Sequence, residues 1–412
     1  MFAMKKIVLL LLLVVPLVNY SQPFWYQIHK PDALLPSAVA VDNNGDLYVT
    51  SYVSYNLGGV YHSNNDGQTW EFIGPNHHNL RAIDISDNNR IVVGGGAGIL
   101  IWDPIAGTWQ SSLFNLDIYC INSISDSIYL AGAHNSIYRS NDGGYSWIRV
   151  HYNADSAQYL ENFTSISHSP FDNSIYVTTA TLYGGCARVY RSLDLGLSFQ
   201  LVQSWTATMP CASLRSGAID STGKLLVGGT GLYRYTPEYD SWEKLSLNNT
   251  PEDILITPEG FVYFACNSIT GSPGGAYVSH DNCQTFDDIS DGLYSRYVQD
   301  FAVDQYGRLL VAGGNRLHRS YDTVTTQVNK IIQNDLTVYP NPFNNCVNLL
   351  LTETDITGNK VIRIIDSFGN IVHHNKVTSN PYQWCPNNVS KGLYYIILIN
   401  GLNISTAAII YN

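Results

Sequence analysis

Short apolar segments recur along most of the chain. Each is three or four residues long, rich in Val, Ile, Leu and Tyr, and bounded by Gly, Asn, Asp or Ser, which predicts β-strands joined by turns. Seven such segments are spaced about 40 residues apart, the period of a four-stranded antiparallel unit. They occupy residues 47–49, 91–93, 128–130, 175–177, 225–227, 261–264 and 309–311. The repeat predicts seven similar units between residues 22 and 325.

A second pattern, eight residues long, marks a hairpin turn in four of the units. It begins with Ser, has Asp or Asn two residues later, and ends with Trp or Phe. The copies are 63–70, 140–147, 192–199 and 279–286, and the last has Cys283 where the others have Gly. Asp and Asn side chains accept hydrogen bonds from main-chain N–H groups further along the turn, and Gly tolerates a positive φ. The pattern therefore predicts a tight turn between two strands.

These four copies resemble the Asp box, Ser-x-Asp-x-Gly-x-Thr-Trp, of sialidase-like (BNR-type) repeat β-propellers. The resemblance implies an all-β fold in which residues 22–325 form a seven-bladed β-propeller. It implies little about activity, because in that family the box is a structural turn remote from the active site. The second and fifth units differ, with 102–109 and 235–242 at the equivalent place, but each keeps an aromatic residue at the end.

The seventh unit has no fourth strand after residues 319–322. Residues 24–28 (Phe-Trp-Tyr-Gln-Ile) are similar to 69–73 (Thr-Trp-Glu-Phe-Ile), which should form the fourth strand of the first unit. We therefore expect residues 24–28 to complete the seventh unit. Such an exchange between the two ends closes the ring and removes the exposed sheet edge of an open array.

The first 21 residues are typical of a signal peptide. Lys5 and Lys6 precede an apolar segment, residues 7–18, that is too short to span a bilayer comfortably. Cleavage is predicted near Ser21. No later segment is apolar over about 18 residues, so no transmembrane segment is expected.

The carboxyl-terminal part of the chain differs from the repeats. Residues 326–335 are predicted to be a linker, and residues 336–412 a small β-sandwich with three motifs in order. The motifs contain Tyr339, Pro340, Asn341, Pro342 and Phe343, then Gly369, then Gly392 and Tyr394. Together they resemble the C-terminal sorting domain of the type IX secretion system, although residues 405–408 lack the lysine often found before the last strand. The resemblance implies export through both membranes, with that machinery as partner, to a secreted or surface-attached state. The alternative is a generic β-sandwich module.

Composition agrees with an exported all-β protein. Of 412 residues only 13% are charged, 29 are Tyr, and the net charge is −11. A negative chain is a poor partner for nucleic acid. We found no phosphate-binding loop, no nucleophile elbow and no metal-ligand spacing, so neither a cofactor nor a metal is expected.

Two sets of residues are candidates for ligand binding. Loops on the face opposite the hairpin turns should bring together Tyr52, Tyr55, His77, His78, Phe114, Tyr152, Tyr159, Tyr183, Trp205, Tyr294 and Tyr297. Aromatic side chains with a polar tip suit sugar or peptide surfaces, although packing between units is the alternative. Aligning the first strands gives one position per unit: Ser37, Arg81, Cys120, Asn162, Arg215, Glu252 and Gln299. This polar ring can bind a ligand, or it can be a solvated rim of internal ion pairs.

The interpretation that best fits these patterns is a non-catalytic protein that binds a glycan or a protein. The proposed ligand-binding residues are Arg81, Asn162, Arg215, Glu252, Gln299, Tyr159, Tyr183 and Trp205, with no catalytic residue assigned. The alternative is a glycoside hydrolase of a sialidase-like or xyloglucanase-like class. A sialidase would use Arg81, Arg215 and Arg296 as its arginine triad, but the Arg-Ile-Pro motif is absent and that family has six blades. A carboxylate pair of Glu252 with Asp117 or Glu161 would serve other glycosidases.

Arg139, Arg191 and Arg319 occupy one repeat position and are expected to be structural. Export places the seven cysteines in an oxidising setting. We predict a Cys186–Cys211 disulfide, worth roughly 3 kcal/mol in the chain-entropy model, because both loops should lie on the same face of adjacent units. Cys266 and Cys283 should lie on opposite faces and stay unbridged, and Cys120 should be a buried thiol. Cys346 and Cys385 can pair within the last domain, or all seven can be buried as free thiols.

Overall fold

The computed structural model of the protein describes the following residues: 22–32, 34–52, 58–76, 79–153, 161–181, 187–204, 213–267, 273–324, 336–351, 360–366, 371–377, 379–387, 389–400 and 403–412. Their regular structure consists of 35 β-strands and a single-turn 3-10 helix, Pro237–Tyr239. Within those ranges no helix is long and apolar enough to cross a membrane. The predicted signal peptide and linker lie outside the described residues.

Residues 25–323 contain seven four-stranded antiparallel sheets. Sheets 1 to 6 each use four consecutive strands, whereas sheet 7 uses three strands and the first strand of the chain, β1 (Trp25–Gln27). Sheets 1 to 3 contain β2 (Pro36–Val41), β3 (Leu47–Ser51), β4 (Gly59–Ser63), β5 (Glu71–Gly74), β6 (Leu80–Ile85), β7 (Ile91–Gly95), β8 (Gly98–Asp103), β9 (Thr108–Phe114), β10 (Ile118–Ser123), β11 (Tyr129–Ala133), β12 (Ser136–Ser140) and β13 (Ile148–Tyr152).

Sheets 4 to 7 follow the same order. Their strands are β14 (Glu161–His168), β15 (Ile175–Thr181), β16 (Arg188–Ser192), β17 (Gln200–Ser204), β18 (Leu214–Ile219), β19 (Leu225–Gly229), β20 (Leu232–Thr236), β21 (Ser241–Leu245), β22 (Thr250–Ile256), β23 (Val262–Asn267), β24 (Gly275–Ser279), β25 (Asp287–Asp288), β26 (Asp300–Val303), β27 (Arg308–Gly313) and β28 (Arg316–Thr323). The first strand of each sheet contacts the first strand of the next, and β26 contacts β2. The seven first strands therefore form a closed ring.

The apolar segments of the repeat are the second strands of the sheets. Each second strand lies between two others and packs against a neighbouring sheet, so both of its faces are buried; all five residues of β19 are buried, for example. This is why these strands are continuous apolar runs whereas the outer strands, such as β9, are mostly exposed. The hydrophobic core consists of clusters that join adjacent sheets.

The exchange between the two ends is confirmed. Strand β1 pairs antiparallel with β28 and is the outermost strand of sheet 7, with Trp25 opposite Ser320. The Trp25 indole is 1% exposed, and its Nε1–H donates to the carbonyl oxygen of Ile289 over 2.6 Å. The ring closes through a strand from the opposite end of the chain.

The four predicted turns share one hydrogen-bond network. In each, the serine hydroxyl donates to the Asp or Asn Oδ1 and accepts the N–H of the residue four positions after the serine. The same Oδ1 accepts the N–H of the following Ser or Thr over 2.9 Å. The fourth and fifth residues of each copy have a positive φ. Cys283 therefore occupies, with φ 63°, a position that favours Gly.

An arginine on the third strand of one sheet binds the turn of the next sheet. Arg139 donates to the carbonyl oxygen of Leu195, Arg234 to that of Asn282, and Arg319 to that of Asp66. Arg319 is 2% exposed and also pairs with the Asp66 carboxylate over 2.9 Å and with Asp304. The structural role of Arg139 and Arg319 is confirmed. The sheet that follows Arg191 has a different turn, and Arg191 pairs with Asp172 instead.

Replacing Leu195 by Asn should stabilise the protein. Leu195 has φ 54°, whereas the equivalent residues of the other turns are Asp66, Gly143 and Asn282. A Leu in the left-handed region costs roughly 1–2 kcal/mol, and Asn tolerates it better, so we expect a gain of about 1 kcal/mol in the free energy of unfolding. Urea unfolding of Leu195→Asn measures this gain. Leu193→Asn is the matched control, because Leu193 is exposed in the same turn without a positive φ; an equal gain in both variants would contradict the explanation.

The last part of the chain forms two further sheets. One is three-stranded, with β29 (Leu336–Tyr339), β30 (Val347–Leu351) and β33 (Tyr382–Trp384); the other is four-stranded, with β31 (Lys360–Asp366), β32 (Ile371–Lys376), β34 (Gly392–Asn400) and β35 (Asn403–Tyr411). Side chains of both sheets share one hydrophobic cluster. Because Val347 pairs with Trp384 across β30 and β33, the neighbouring Cys346 and Cys385 lie close together and form a disulfide.

The other cysteines agree with the sequence analysis where the structure describes them. Cys120, Cys266 and Cys283 are buried free thiols, as predicted. Cys186 and Cys211 lie outside the described residues, so their disulfide stays a prediction.

Candidate functional site: a polar cavity inside the ring

A cavity of about 870 Å³ lies at the centre of the ring and is lined by the first strands of all seven sheets. Each first strand begins with the same local irregularity. Between its first residues and its partner strand the register shifts by one residue, which marks a β-bulge in β2, β6, β10, β14, β18 and β22. In sheet 7 the equivalent residue, Gln299, directly precedes β26. Its N–H donates to the carbonyl oxygen of Ala312, and the next residue, Asp300, lies opposite the same Ala312. We therefore count Gln299 among the bulge residues.

The bulge residue of every sheet faces the cavity and has a polar side chain. The seven bulge residues are Ser37, Arg81, Tyr119, Thr164, Arg215, Glu252 and Gln299. The residue before each of them is buried and apolar, which anchors the strand in the core. Because a bulge places two residues opposite one, the residue after it also lines the cavity. The cavity wall therefore has two layers of side chains.

This register corrects the alignment made from the sequence. Cys120 was aligned with the bulge residues, but it lies one residue later, and the bulge residue of sheet 3 is Tyr119. Asn162 lies two residues before the bulge residue of sheet 4, Thr164. The alignment failed because a β-bulge breaks the simple alternation of side-chain directions along the strand, so the apolar pattern alone does not fix the register. The correct position is the polar residue that directly follows a buried apolar residue and directly precedes a second residue lining the cavity.

The predicted ligand-binding residues on the strands come together. Arg81, Asn162, Arg215, Glu252 and Gln299 all line the cavity. Of the predicted aromatic residues, Tyr52 and Tyr297 line it and are 50% and 39% exposed, which places an opening of the cavity on their side. Phe114, Tyr152 and Tyr294 are exposed but are not part of its lining. Tyr159, Tyr183 and Trp205 lie outside the described residues, as do Tyr55, His77 and His78.

Two arginines in the bulge layer have different partners. Arg81 stacks on the ring of Tyr119 at 4.7 Å, and its Nη1 lies 3.3 Å from the Asp117 carboxylate. The Tyr119 hydroxyl is 2.9 Å from Nε2 of His134. Arg215 donates a hydrogen bond of 3.0 Å to Glu252. Each arginine thus has a carboxylate partner, Asp117 for Arg81 and Glu252 for Arg215, and each keeps N–H donors that its ion pair does not use.

The residue sets proposed for a glycosidase do not assemble. Arg296 pairs with Asp288 and is not part of the cavity lining, so it does not form a triad with Arg81 and Arg215. Glu161 is fully buried, pairs with Arg188 over 3.0 Å and lies away from the lining. Glu252 is held by Arg215, so neither expected carboxylate pair forms a free acid and base.

The layer behind the bulge residues contains two carboxylates, those of Asp253 and Asp300. Asp253 and Asp300 occupy the same position in β22 and β26, and each accepts a main-chain N–H of the next first strand: Phe301 over 3.1 Å and Val39 over 2.7 Å. Their place deep in the wall raises the pKa of both carboxyl groups, and the charge of Asp253 raises that of Asp300 further. The other five residues of this layer are Ala38, Ala82, Cys120, Ser165 and Ser216.

Replacing Asp300 by Asn should stabilise the protein at neutral and alkaline pH. The folded-state pKa of Asp300 lies above its unfolded value, so the folded protein binds the proton more tightly. The stability that this carboxyl group contributes is greatest below about pH 4 and decreases as the pH rises through the folded-state pKa. Asn carries no charge and keeps an oxygen for the Val39 N–H. We therefore expect Asp300→Asn to gain about 1 kcal/mol at pH 8 and little at pH 4.

Thermal unfolding at both pH values measures this difference. Asp87→Asn is a suitable control, because Asp87 is exposed. A gain of the same size at pH 4 and pH 8 would show that the charge of Asp300 is not the cause.

The motif of the carboxyl-terminal domain fixes its last strand. Phe343 is 1% exposed, packs against Trp384 and stacks on Tyr411 with 5.2 Å between the ring centroids. Its N–H donates to the carbonyl oxygen of Ile410, while the Asn341 side chain accepts the Ile410 N–H over 2.9 Å. Gly392 and the buried Tyr394 lie in β34, beside this strand; Tyr339 and Pro340 are exposed. Gly369 lies outside the described residues.

Residues 337–412 match the family described as the secretion system C-terminal sorting domain. The chain carries a type IX secretion sorting domain. The sorting domain indicates export to the cell surface or secretion. No curated protein matches the chain significantly.

Solved structures with a β-propeller-like fold resemble the chain at low identity. PorZ of Porphyromonas gingivalis is 12% identical with a TM-score of 0.53, and the alignment covers 96% of this chain and 60% of PorZ. The extracellular domain of a hybrid two-component system from B. thetaiotaomicron is 16% identical with a TM-score of 0.61, and the alignment covers 94% of this chain and 53% of that domain. Virginiamycin B lyase from Staphylococcus aureus is 12% identical with a TM-score of 0.55, and the alignment covers 72% of this chain and 97% of the lyase. This chain therefore spans little more than half of the first two proteins, and the likeness concerns the fold alone.

Proposed function

We propose that residues 22–325 form a seven-bladed β-propeller, joined by the linker 326–335 to a β-sandwich sorting domain of residues 336–412. The seven sheets, whose first strands contact each other in a closed ring, support this architecture. The four turns act as Asp boxes in the structural sense, because their hydrogen bonds are internal and each of three blades sends an arginine to the next turn.

The propeller binds a polar ligand, a glycan or a protein, outside the cell and without catalysis. The observation that carries this proposal is the cavity, where all seven bulge residues present polar side chains and Tyr52 and Tyr297 flank the opening. A cavity of this volume with a few convergent polar groups is typical of a binding site. PorZ is described as an essential surface component of the type IX secretion system, and the B. thetaiotaomicron domain is extracellular, which fits a role at the surface.

Glycoside hydrolysis is a second candidate, favoured by Asp253 and Asp300. Two carboxyl groups in one cavity, one protonated and one charged, are what such enzymes require. Binding is better supported, because a main-chain N–H of the neighbouring strand fixes one oxygen of each carboxylate in the wall, a structural role that does not require catalysis.

Binding of the mature chain, residues 22–412, to immobilised glycans and peptides tests the proposal. Ser165→Trp fills the cavity and should abolish binding, whereas the matched Ser127→Trp adds the same side chain at an exposed site outside it and should have no effect. Equal binding by both variants would place the ligand elsewhere and overturn the proposal. Release of sugar from a glycan that Asp300→Asn abolishes would establish the hydrolase instead.

A further inference from the structure

Charged side chains of opposite sign lie on different sides of the cavity wall. In the bulge layer the charged residues are Arg81 on sheet 2, Arg215 on sheet 5, and Glu252 on sheet 6, which pairs with Arg215. In the second layer the only charged side chains are Asp253 and Asp300, on the adjacent sheets 6 and 7. A ligand that fits this pattern carries a negative charge near Arg81 and a positive charge near the two aspartates.

Arg81 is the group in this wall that is best prepared to bind an anion. Stacking on Tyr119 holds its guanidinium plane, and Nη1 pairs with the Asp117 carboxylate at 3.3 Å, which leaves the other donors of the guanidinium for a ligand. The guanidinium fork offers up to five N–H donors, and two of them match the oxygens of a carboxylate. Arg215 also keeps free donors, but its partner Glu252 lines the cavity whereas Asp117 does not, so within the cavity the charge of Arg81 is less offset by its partner.

Asp253 and Asp300 are the groups best prepared to bind a cation. None of the ion pairs in the described part of the chain includes either of them. Burial raises the pKa of both carboxyl groups, and the neighbouring Asp253 raises that of Asp300 further, with no cation among the described residues to oppose these effects. An ammonium group beside them would supply the missing positive charge.

A buried amide on sheet 4, away from the two aspartates of sheets 6 and 7, independently indicates a ligand with N–H groups. Asn162, on β14, is 5% exposed and lines the cavity, yet its Oδ1 has no hydrogen-bond partner. An unpartnered buried acceptor destabilises the protein, and a ligand N–H would remove this penalty. A peptide carries such donors along its main chain.

We infer that the cavity binds a short peptide with free ends, its carboxylate at Arg81 and its ammonium group at Asp253 and Asp300. This inference rests on the proposed binding function and names its ligand. Arg81 lies two or three sheets away from the aspartates around the ring, so a di- or tripeptide suits the separation of the charges better than a single amino acid. The volume of about 870 Å³ accommodates such a ligand.

Titration calorimetry of the mature chain with trialanine tests the inference. Capping its amino end with acetyl, or its carboxyl end as an amide, should weaken binding at least tenfold each, since a charge-assisted hydrogen bond contributes about 1.5–3 kcal/mol. Arg81→Gln should weaken binding of the free acid similarly and remove its advantage over the amide. Arg149→Gln is the matched control, because Arg149 also stacks on a tyrosine at 4.7 Å but lies outside the cavity lining.

The capped peptides keep the test decisive even if Arg81→Gln fails to fold, because they use the unmodified protein. Equal affinity for free and capped trialanine would overturn the inference. Binding of a glycan in the cavity without binding of trialanine would do so as well, while leaving the proposed function intact. If no glycan, protein or peptide bound in the cavity, the proposed function itself would be wrong.

Discussion

A chain truncated after Asn334 should fold but remain inside the cell. The sorting domain has its own core, with Phe343 and Trp384 at its centre, and its own disulfide, Cys346–Cys385. The seven sheets end before it, so their packing does not need it. Because residues 337–412 carry the sorting signal, we expect the truncated protein to be absent from the medium and the cell surface. Cell fractionation measures its location, and circular dichroism of the purified chain measures its fold.

A single substitution gives a sharper form of this prediction. Phe343→Ala removes the ring that packs on Trp384 and Tyr411, which should cost about 3–5 kcal/mol in the sorting domain and reduce export without unfolding the seven sheets. Leu350→Ala, in the same domain but 42% exposed, is the control. Normal amounts of the truncated chain in the medium would mean that residues 337–412 are not required for sorting.

Trp25→Ala should destabilise the ring by about 3–5 kcal/mol, as expected for a large aromatic residue removed from a core. Trp25 is 1% exposed, stacks with Phe301 at 6.1 Å and donates to the Ile289 carbonyl oxygen. The substitution removes all of these contacts at the point where the ring closes. Deleting residues 22–28 should cost more, since the edge of β28 then loses its partner strand.

Chemical denaturation of both variants measures the effect. Tyr239→Ala provides the control, because Tyr239 is 81% exposed and its loss should change the free energy of unfolding by less than about 0.5 kcal/mol. An unfolding curve unaltered by the deletion would show that β1 does not contribute to ring stability.

The periodic part of this fold could be predicted from the sequence because burial repeats. The second strands are buried on both faces in every sheet, so their apolar segments mark each unit, and the similarity of residues 24–28 to 69–73 located the closing strand. The turns could be predicted from the sequence as well, because their hydrogen bonds connect side chains to main-chain groups only a few residues away.

The cavity was less predictable because its register depends on the β-bulges. A bulge inserts one residue, which changes the side-chain direction without changing the apolar segments on either side. Tyr119 and Thr164 were therefore missed, although Arg81 and Arg215 were found. The pairing of Cys346 with Cys385 was left open for a similar reason, because it depends on β30 and β33 being adjacent, a long-range contact without a local signal.

The closing strand also sets the order in which the protein can be assembled. Trp25 finds its hydrogen-bond partner 264 residues further along the chain, so the ring stays incomplete until almost all of its residues are available for folding. Contacts over such long separations form slowly, because the chain must lose much of its freedom before the strand pairs. During that interval the edge of β28 has no partner strand and is open to pairing with other chains.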